Sequence, residues 1–343
     1  MITACLKPTK QALREAAATI QAGGLVAFPT ETVYGLGANA LDAAAVEGIF
    51  EAKQRPQDNP LIVHIADIKD AKALCFVTET AQKLMAAFFP GPLTLLMKKK
   101  PVVPAVTTAG LDSVGIRMPN HPVALELIKA AQRPIAAPSA NRSGKPSPTA
   151  AAHVLADMQG RIPLILDGGD CPVGVESTVL DITCDPPVIL RPGGITKEML
   201  LTVLPKVAVA DSVLRPLRPD EAALSPGMRH THYAPEGALS LVEGERALEA
   251  MAQLYDESNS ACLFAFEEDL EKLGNRYCLS LGSRGAPEEM ASRLFMLLRR
   301  MDDEKIRHIY SIVMDTEGIG LAVMNRLGRA AGFHFIDAEE VLK

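Results

Sequence analysis

Several cationic side chains lie directly beside segments whose apolar character predicts buried strands. Lys53 and Arg55 in "KQRPQDNP" precede "LIVHI". Arg117 lies within "VGIRMP", Arg191 ends "VILR", and Lys145 follows "PSANRSG". A cation at such a place is costly to bury unless it meets an anion. Five cations directed at one place would predict a polyanionic ligand, such as a nucleoside triphosphate.

Hydroxyl and amide side chains occur at the ends of the same strands. Thr30 and Thr32 follow "VAF", Ser139 and Asn141 follow "PIAAP", and Ser177 precedes "TVLDI". Taken alone, a Ser-x-Asn segment is most often a turn. Together, these groups could bind phosphate oxygens, a ribose or a polar amino acid. Sheet edges and the loops that follow them are common places for binding sites.

The sequence shows no motif for covalent catalysis and predicts no metal site. There is no G-x-S-x-G, and no cysteine lies in an activating setting. His64 on its own is typical of a core histidine, and His230 and His232 have no partner cluster of metal ligands. Many cations and hydroxyls without a covalent catalyst favour phosphoryl or nucleotidyl transfer. In those reactions the protein mainly positions groups and neutralises charge.

The predicted elements divide the chain into two domains and a linker. Residues 1–205 contain both strands and helices, which predicts an α+β or α/β domain with a large mixed sheet, and residues 1–24 are predicted to be one amphipathic helix. Residues 206–238 contain several prolines and read as a linker. Residues 239–343 alternate strand and helix, which predicts a small parallel sheet covered by helices.

Composition and charge limit the function classes. The 343 residues are 48% hydrophobic and 22% charged, and no apolar run is long enough to cross a membrane. Six scattered cysteines without C-x-x-C spacing predict reduced thiols in the cytoplasm. Residues 1–205 carry 19 Lys and Arg against 18 Asp and Glu, whereas residues 206–343 carry 16 against 23. The second part is therefore acidic, and no basic tail for nucleic acid is present.

Five motifs within the first 205 residues together resemble the YrdC family. They are "FPTETVYGLGANA", the K-x-R of "KQRPQDNPL", the S-x-N of "APSANRSG", "ESTVLDI" and "ILRPGG". "SPGMRHTHYAP" and the small domain after it are similar to the long, two-domain form of that family, the threonylcarbamoyl-AMP synthases. The resemblance implies a twisted α/β domain around a positively charged cavity, followed by a small Rossmann-like α/β domain.

The resemblance also implies an activity. Members of this form are nucleotidyltransferases that make L-threonylcarbamoyl-AMP and pyrophosphate from L-threonine, bicarbonate or CO2, and ATP with Mg2+. The product serves the threonylcarbamoyladenosine (t6A) modification of tRNA. We therefore expect a cytoplasmic enzyme whose partners are other proteins of the tRNA threonylcarbamoylation pathway. Stable binding to nucleic acid or to a membrane is not expected.

Matching the family's motifs residue by residue implies the site residues. The threonine side is expected to use Thr32, His64, Arg117, the backbone of Ala137, and Ser177. The ATP side is expected to use Arg55, Asn59, Ser113, Ser139, Ser147 and Arg191, with Lys53 and Asn141, and a linker residue at or near His230. Lys53 and Arg55 are expected to be catalytic through charge on the phosphates. The linker would close over the nucleotide, and His232 and Tyr233 are alternatives for that contact.

Two other functions are compatible with parts of the sequence. A module for double-stranded RNA or tRNA would use the cations on backbone phosphates, and its affinity would fall steeply with salt. Residues 1–205, however, are nearly neutral and contain few aromatic residues. A module that transfers carbamoyl groups to another protein is the second alternative. The chain lacks recognisable acylphosphatase or zinc-finger sequence, which disfavours it.

Overall fold

The computed structural model describes residues 1–218 and 233–343. Within them the chain forms two compact units. The first consists of residues 1–143, 147–213 and 217–218, and the second of residues 144–146, 214–216 and 233–343. Part of the predicted linker, including His230 and His232, lies outside the described residues. The predicted domain boundaries therefore stay a prediction.

The described residues form eleven α-helices and sixteen strands, with four short 3-10 helices between them. The helices are α1 (Lys10–Gln21), α2 (Ala43–Lys53), α3 (Ala71–Leu74), α4 (Glu79–Phe88), α5 (Pro122–Ala131), α6 (Ala151–Met158), α7 (Lys197–Leu201), α8 (Ala247–Asp256), α9 (Pro287–Asp303), α10 (Gly320–Ala330) and α11 (Ala338–Val341). The strands are β1 (Ala4–Leu6), β2 (Val26–Phe28), β3 (Gly35–Asn39), β4 (Ile62–His64), β5 (Leu93–Lys98), β6 (Ser113–Arg117), β7 (Ile135–Ala137), β8 (Leu164–Leu166), β9 (Thr178–Asp181), β10 (Val188–Arg191), β11 (Ala208–Val209), β12 (Ala238–Glu243), β13 (Ala261–Ala265), β14 (Cys278–Ser280), β15 (His308–Ile312) and β16 (Phe335–Asp337).

The first unit is built on one mixed sheet of eleven strands. Their order is β1-β8-β2-β3-β7-β4-β6-β5-β9-β10-β11. Most neighbouring strands are distant in sequence, and parallel and antiparallel pairs occur side by side. The predicted mixed α/β class is confirmed. This strand order brings short strand ends from separate parts of the sequence next to one another.

The prediction of one helix over residues 1–24 is wrong at its start. Ala4–Leu6 forms a strand that pairs in parallel with Leu164–Leu166. The helix begins only at Lys10, where Thr9 caps it by accepting a hydrogen bond from the Ala12 N–H. Pro8 precedes this cap, and the residue before a proline favours extended backbone.

The glycine-rich segment after the Thr-Glu-Thr turn also forms a strand. Gly35–Asn39 pairs with Val26–Phe28 on one side and with β7 on the other. A Cβ at Gly37 would lie 2.7 Å from Cγ2 of Ile135 and 2.8 Å from the Phe28 ring. The glycine is therefore needed for close packing inside the sheet. Its strand was missed because glycine normally signals a turn.

The second unit contains the predicted parallel sheet. Its five strands follow the order β14-β13-β15-β12-β16, and every neighbouring pair is parallel. One face of the long helix α9 is buried: Met290, Leu294, Phe295 and Leu298 are each at most 2% exposed. Tyr233 packs in this unit with its ring 5.1 Å from that of Phe295. Among the described residues, no helix is both long and apolar enough to span a lipid bilayer.

The turn after β10 approaches the backbone of the segment that leads into β9. A Cβ at Gly193 would collide with backbone atoms of Glu176, Ser177 and Thr178. These are atoms that cannot move aside as a flexible side chain can. Only glycine therefore fits in the "RPGG" turn at its present distance from Ser177.

We predict that Gly193→Ala lowers the free energy of unfolding by about 1–3 kcal/mol, the usual cost of forcing extra volume into a packed region. Urea denaturation of the intact chain would measure the change. Gly48→Ala, within α2, is the matched control, because its new methyl group would meet only Leu25 side-chain atoms at 3.7 Å or more. The control should be neutral or slightly stabilising. Equal stability of Gly193→Ala and the natural protein would show that the turn moves freely.

Candidate active site

The register of three neighbouring strands brings together residues predicted to bind threonine. His64, the last residue of β4, is the register partner of Arg117, the last residue of β6. On the other side of β4, Ile62 is opposite Ala137. Three of the five residues predicted for the threonine side therefore lie on adjacent strands of one sheet.

His64 is buried and neutral at physiological pH. The residue is 4% exposed, its Nδ1 lies 3.2 Å from the Ile62 carbonyl oxygen, and its ring makes a T-shaped contact with the Phe28 ring. Burial, and then the neighbouring Arg117 cation, lower the pKa of His64 to about 3. If Nδ1–H donates to the Ile62 carbonyl, Nε2 is left as an uncharged acceptor.

Arg117 forms an ion pair with Glu31, a residue that the sequence analysis did not select. Nη2 of Arg117 lies 2.7 Å from Oε2 of Glu31, and the two side chains are 5% and 8% exposed. Nη2 and Oε2 are close enough to form an ion pair, but the N–H groups of Nη2 and the carboxylate are not oriented for a hydrogen bond. Neither oxygen of Glu31 has a hydrogen-bond donor, and Arg117 Nη2 has no acceptor, within residues 1–218 and 233–343. Arg117 Nε donates weakly to the Gly91 carbonyl at 3.4 Å.

The turn that carries Glu31 is held by Thr30. The Oγ1 of Thr30 accepts from the N–H groups of Thr32 and Val33, both at 3.2 Å, and donates to the Val33 carbonyl at 2.6 Å. It also lies 2.9 Å from the hydroxyl of Thr32, which is fully buried. The Glu31 carbonyl accepts from Val173 N–H. This network fixes the backbone on both sides of the carboxylate.

Ser177 joins the residues predicted for threonine to those predicted for ATP. Arg191 donates from Nε to the Ser177 carbonyl at 3.1 Å and from Nη2 to its hydroxyl at 3.2 Å. The same hydroxyl lies 2.8 Å from that of Thr94. All three side chains are buried. The predicted threonine side and ATP side therefore meet at this serine.

Lys53 holds the Ser-x-Asn loop. Its ammonium donates to the carbonyl oxygens of Ser139 and Asn141, each at 2.5 Å, and the side chain is 2% exposed. Ser139 Oγ donates to Asn141 Oδ1 at 2.6 Å. Hydrogen bonds thus connect the lysine of the K-x-R motif to the loop of the S-x-N motif. This geometry favours a positioning role for Lys53; its predicted contact with phosphate stays a prediction.

Three further residues predicted for ATP have contacts or burial of their own. Arg55 is half-buried, with Nη2 3.5 Å from the Asn59 carbonyl. Asn59 is 1% exposed, and its Oδ1 has no hydrogen-bond partner in the described part of the chain. Ser147 donates to Glu176 at 2.5 Å, next to Ser177.

Three residues stand apart from this network. Ser113 begins β6, and no hydrogen bond found among the described residues joins it to the others. Lys145 is in the second unit, 3.6 Å from Glu236. His230 lies outside the described residues. Within the described ranges, no group of three or more His, Cys, Asp or Glu side chains is placed to hold a metal ion.

Two family models match the chain. The Sua5_yciO_yrdC model, described as telomere recombination, matches residues 18–193. The Sua5_C model, described as the C-terminal domain of threonylcarbamoyl-AMP synthase, matches residues 195–332. The two matches follow each other along the chain and together include every residue placed in the site above.

Curated relatives and a solved structure are similar over nearly the whole chain. Threonylcarbamoyl-AMP synthase of Pyrococcus abyssi is 47% identical over 334 residues, which cover 94% of this chain and 95% of the relative. The Bacillus subtilis protein of that name is 47% identical over 325 residues, 93% of each chain. The crystal structure of P. abyssi Sua5 complexed with L-threonine matches with a TM-score of 0.90 at 44% identity, covering 98% of both chains.

We predict that Lys53→Met lowers the free energy of unfolding by about 3 kcal/mol. Methionine keeps the apolar stem but leaves two buried carbonyl groups without their charged donor. Hydrogen exchange at residues 139–143 should rise in the same variant, because the loop loses its support. Lys10→Met, at an exposed position on α1, is the control and should change stability by less than about 0.5 kcal/mol. An unchanged exchange rate at the loop would contradict the positioning role.

The neutral state of His64 predicts an acid-sensitive fold. Because its pKa is about 3 in the folded protein, the unfolded chain, with a pKa of about 6.5, binds a proton that the folded chain does not. The contribution of neutral His64 to the free energy of unfolding should be complete above about pH 6.5. As the pH falls from 6.5 to 3, the free energy of unfolding should decrease by up to about 1.4 kcal/mol per pH unit.

His64→Gln tests this contribution through denaturation at several pH values. At neutral pH the difference in unfolding free energy between the variant and the natural protein measures the packing and hydrogen-bond contacts of the lost imidazole. Below about pH 6.5 the difference should shrink, because the variant has no proton to exclude. A difference that stays constant with pH would mean that His64 accepts a proton in the folded state.

Proposed function

The chain belongs to the Sua5/YciO/YrdC family in its two-domain threonylcarbamoyl-AMP synthase form, and from this premise we propose that it makes L-threonylcarbamoyl-AMP. The substrates would be L-threonine, bicarbonate or CO2, and ATP accompanied by Mg2+, and pyrophosphate would be the second product. The observation that carries the proposal is the buried Arg117 beside neutral His64, in a chain similar over 98% of its length to Sua5 complexed with L-threonine.

Arg117 is suited to bind the carboxylate of threonine. It is buried, and its Nη2 lacks a hydrogen-bond acceptor among the described residues. A guanidinium binds a carboxylate strongly where water is excluded. His64 offers an uncharged ring beside it and does not add a second cation. Thr32, the Ala137 backbone and Ser177 would complete the threonine side.

Arg191 and Arg55 are suited to neutralise the phosphates of ATP. Arg191 already contacts Ser177, so a nucleotide bound there would lie next to threonine. Asn59, whose buried Oδ1 has no hydrogen-bond partner among the described residues, would provide a further polar contact, as would Ser113, Ser139 and Ser147. Lys53 would act mainly by holding Ser139 and Asn141 in place. Mg2+ would arrive with the phosphates, as it usually does at nucleotide sites.

The chemistry requires positioning and charge stabilisation. The neutral amine of threonine adds to CO2 and forms a carbamate with loss of a proton. A carbamate oxygen then attacks the α-phosphorus of ATP, and the bond to pyrophosphate breaks. Arginine side chains near the phosphates stabilise the charge that develops on the leaving group.

The expected product would serve the threonylcarbamoyladenosine (t6A) modification of tRNA, with other proteins of that pathway as partners. We further propose a cytoplasmic location. All six cysteines are free thiols, which is typical of proteins in a reducing compartment.

Turnover by the purified protein tests the proposal. Pyrophosphate and an adenylate product should form only when ATP, L-threonine and bicarbonate are all present, and removal of Mg2+ by EDTA should stop the reaction. Coupled pyrophosphate release and chromatography of the nucleotides would measure both products.

Arg117→Gln is the control for the threonine side. Its kcat/KM for threonine should fall by about 100-fold, the equivalent of a lost charged hydrogen bond. ATP affinity, measured by titration, should stay unchanged. Pyrophosphate release that does not depend on threonine would overturn the proposed function.

A further inference from the structure

The carboxylate of Glu31 is buried without the contacts that a buried charge normally has. The residue is 6% exposed, and neither oxygen has a hydrogen-bond donor among the described residues. Its one close charged contact there is Nη2 of Arg117 at 2.7 Å. A buried carboxylate commonly accepts several hydrogen bonds, and leaving it without them is costly. Glu31 can therefore accept further hydrogen bonds, and within residues 1–218 and 233–343 no donor reaches its Oε1.

The fold holds this carboxylate in place. Thr30 ties the backbone on both sides of it through three hydrogen bonds with Thr32 and Val33. The Glu31 carbonyl is also bonded, to Val173 N–H at 2.9 Å. The Glu31 carboxylate is thus a fixed, buried acceptor next to the buried Arg117 cation. Such an arrangement is expected where a ligand supplies the missing hydrogen-bond donor.

The chemistry of an α-amino acid supplies such a donor at the required place. Its carboxylate and its ammonium are attached to the same carbon. If the carboxylate binds Arg117, the ammonium lies within reach of a group that already contacts the same guanidinium. Such a ligand would give Arg117 Nη2 an acceptor and Glu31 Oε1 a donor, and neither atom has that partner in the described part of the chain.

We propose that Glu31 is the residue that binds the ammonium group of threonine. The inference rests on the proposed function and adds a substrate-binding residue to that site. Glu31 and Arg117 then act as one unit that recognises a zwitterion. Among the described residues, His121 and Cys171 also interact electrostatically with Glu31, and neither supplies a hydrogen bond to its carboxylate.

A simpler role for Glu31 is that of a counter-ion displaced by the ligand. The two roles predict opposite results for Glu31→Gln. If Glu31 only competes for Arg117, its neutralisation should tighten binding of threonine. If Glu31 binds the ammonium, its neutralisation should weaken binding of threonine. It should also relieve the repulsion felt by a carboxylate ligand that has no ammonium.

Isothermal titration of two ligands against two proteins separates these roles. The ligands are L-threonine and 3-hydroxybutanoate, which is threonine without its amino group. The natural protein should bind threonine much more tightly than 3-hydroxybutanoate. In Glu31→Gln, affinity for threonine should fall by about 10- to 100-fold, the equivalent of one charge-assisted hydrogen bond. Affinity for 3-hydroxybutanoate should stay the same or rise. Equal or tighter binding of threonine by the variant would overturn the proposal.

Controls separate this result from misfolding and from failure of the proposed function. Asp181→Asn neutralises another buried carboxylate, which accepts from Thr183 outside the site, and should leave threonine affinity unchanged. ATP titration checks that Glu31→Gln retains a folded nucleotide site. If Glu31→Gln does not fold, titration of the natural protein still tests the proposal. Equal affinity for L-threonine and 3-hydroxybutanoate would show that the ammonium group makes no favourable contact and would overturn the proposal. If the natural protein binds no threonine at all, the proposed function fails first.

Discussion

The ion pair between Arg117 and Glu31 is the interaction around which the site is arranged. An arginine within a sheet is tolerated only if its charge is balanced. Glu31 supplies that balance from a separate turn, 86 positions earlier in the chain. The same cation helps to keep His64 neutral, since a second positive charge next to it would be repelled. The pair therefore adds to the larger effect of burial, which lowers the pKa of His64.

The strand order makes this arrangement possible. Residues that lie far apart in sequence become neighbours because β6 lies between β4 and β5, and β9 pairs with β5. His64 and Arg117 are brought together by the first of these pairings, and Thr94 and Ser177 come together around the second. The polar groups thus depend on the register of short strands. A shift by one residue would turn each of them to the opposite face of the sheet.

The sequence predicts which residues are unusual better than it predicts what they contact. Arg117, His64 and Arg191 could be selected because each is a polar residue in an apolar strand, and the parallel sheet of the second unit followed from alternating strands and helices. Glu31 was missed because a single glutamate in a turn is usually exposed to solvent. Only the fold shows that it is buried. The direction of the Lys53 ammonium, toward loop carbonyls, depends likewise on the distance between α2 and the Ser-x-Asn loop, which no local pattern encodes.

The electrostatic difference between the two halves of the site follows from the same contacts. Around His64 the charges of Arg117 and Glu31 cancel, so the region is neutral in sum although it contains two buried ions. A neutral region with separated charges matches a zwitterion, because each end of the ligand meets an opposite charge and no net charge is buried. Arg191, in contrast, is held by the uncharged hydroxyl and carbonyl groups of Ser177 in the contacts described above. These two contacts orient the Arg191 guanidinium beside Ser177. A zwitterion at the Arg117–Glu31 pair would leave the charge balance there unchanged, because it brings no net charge of its own.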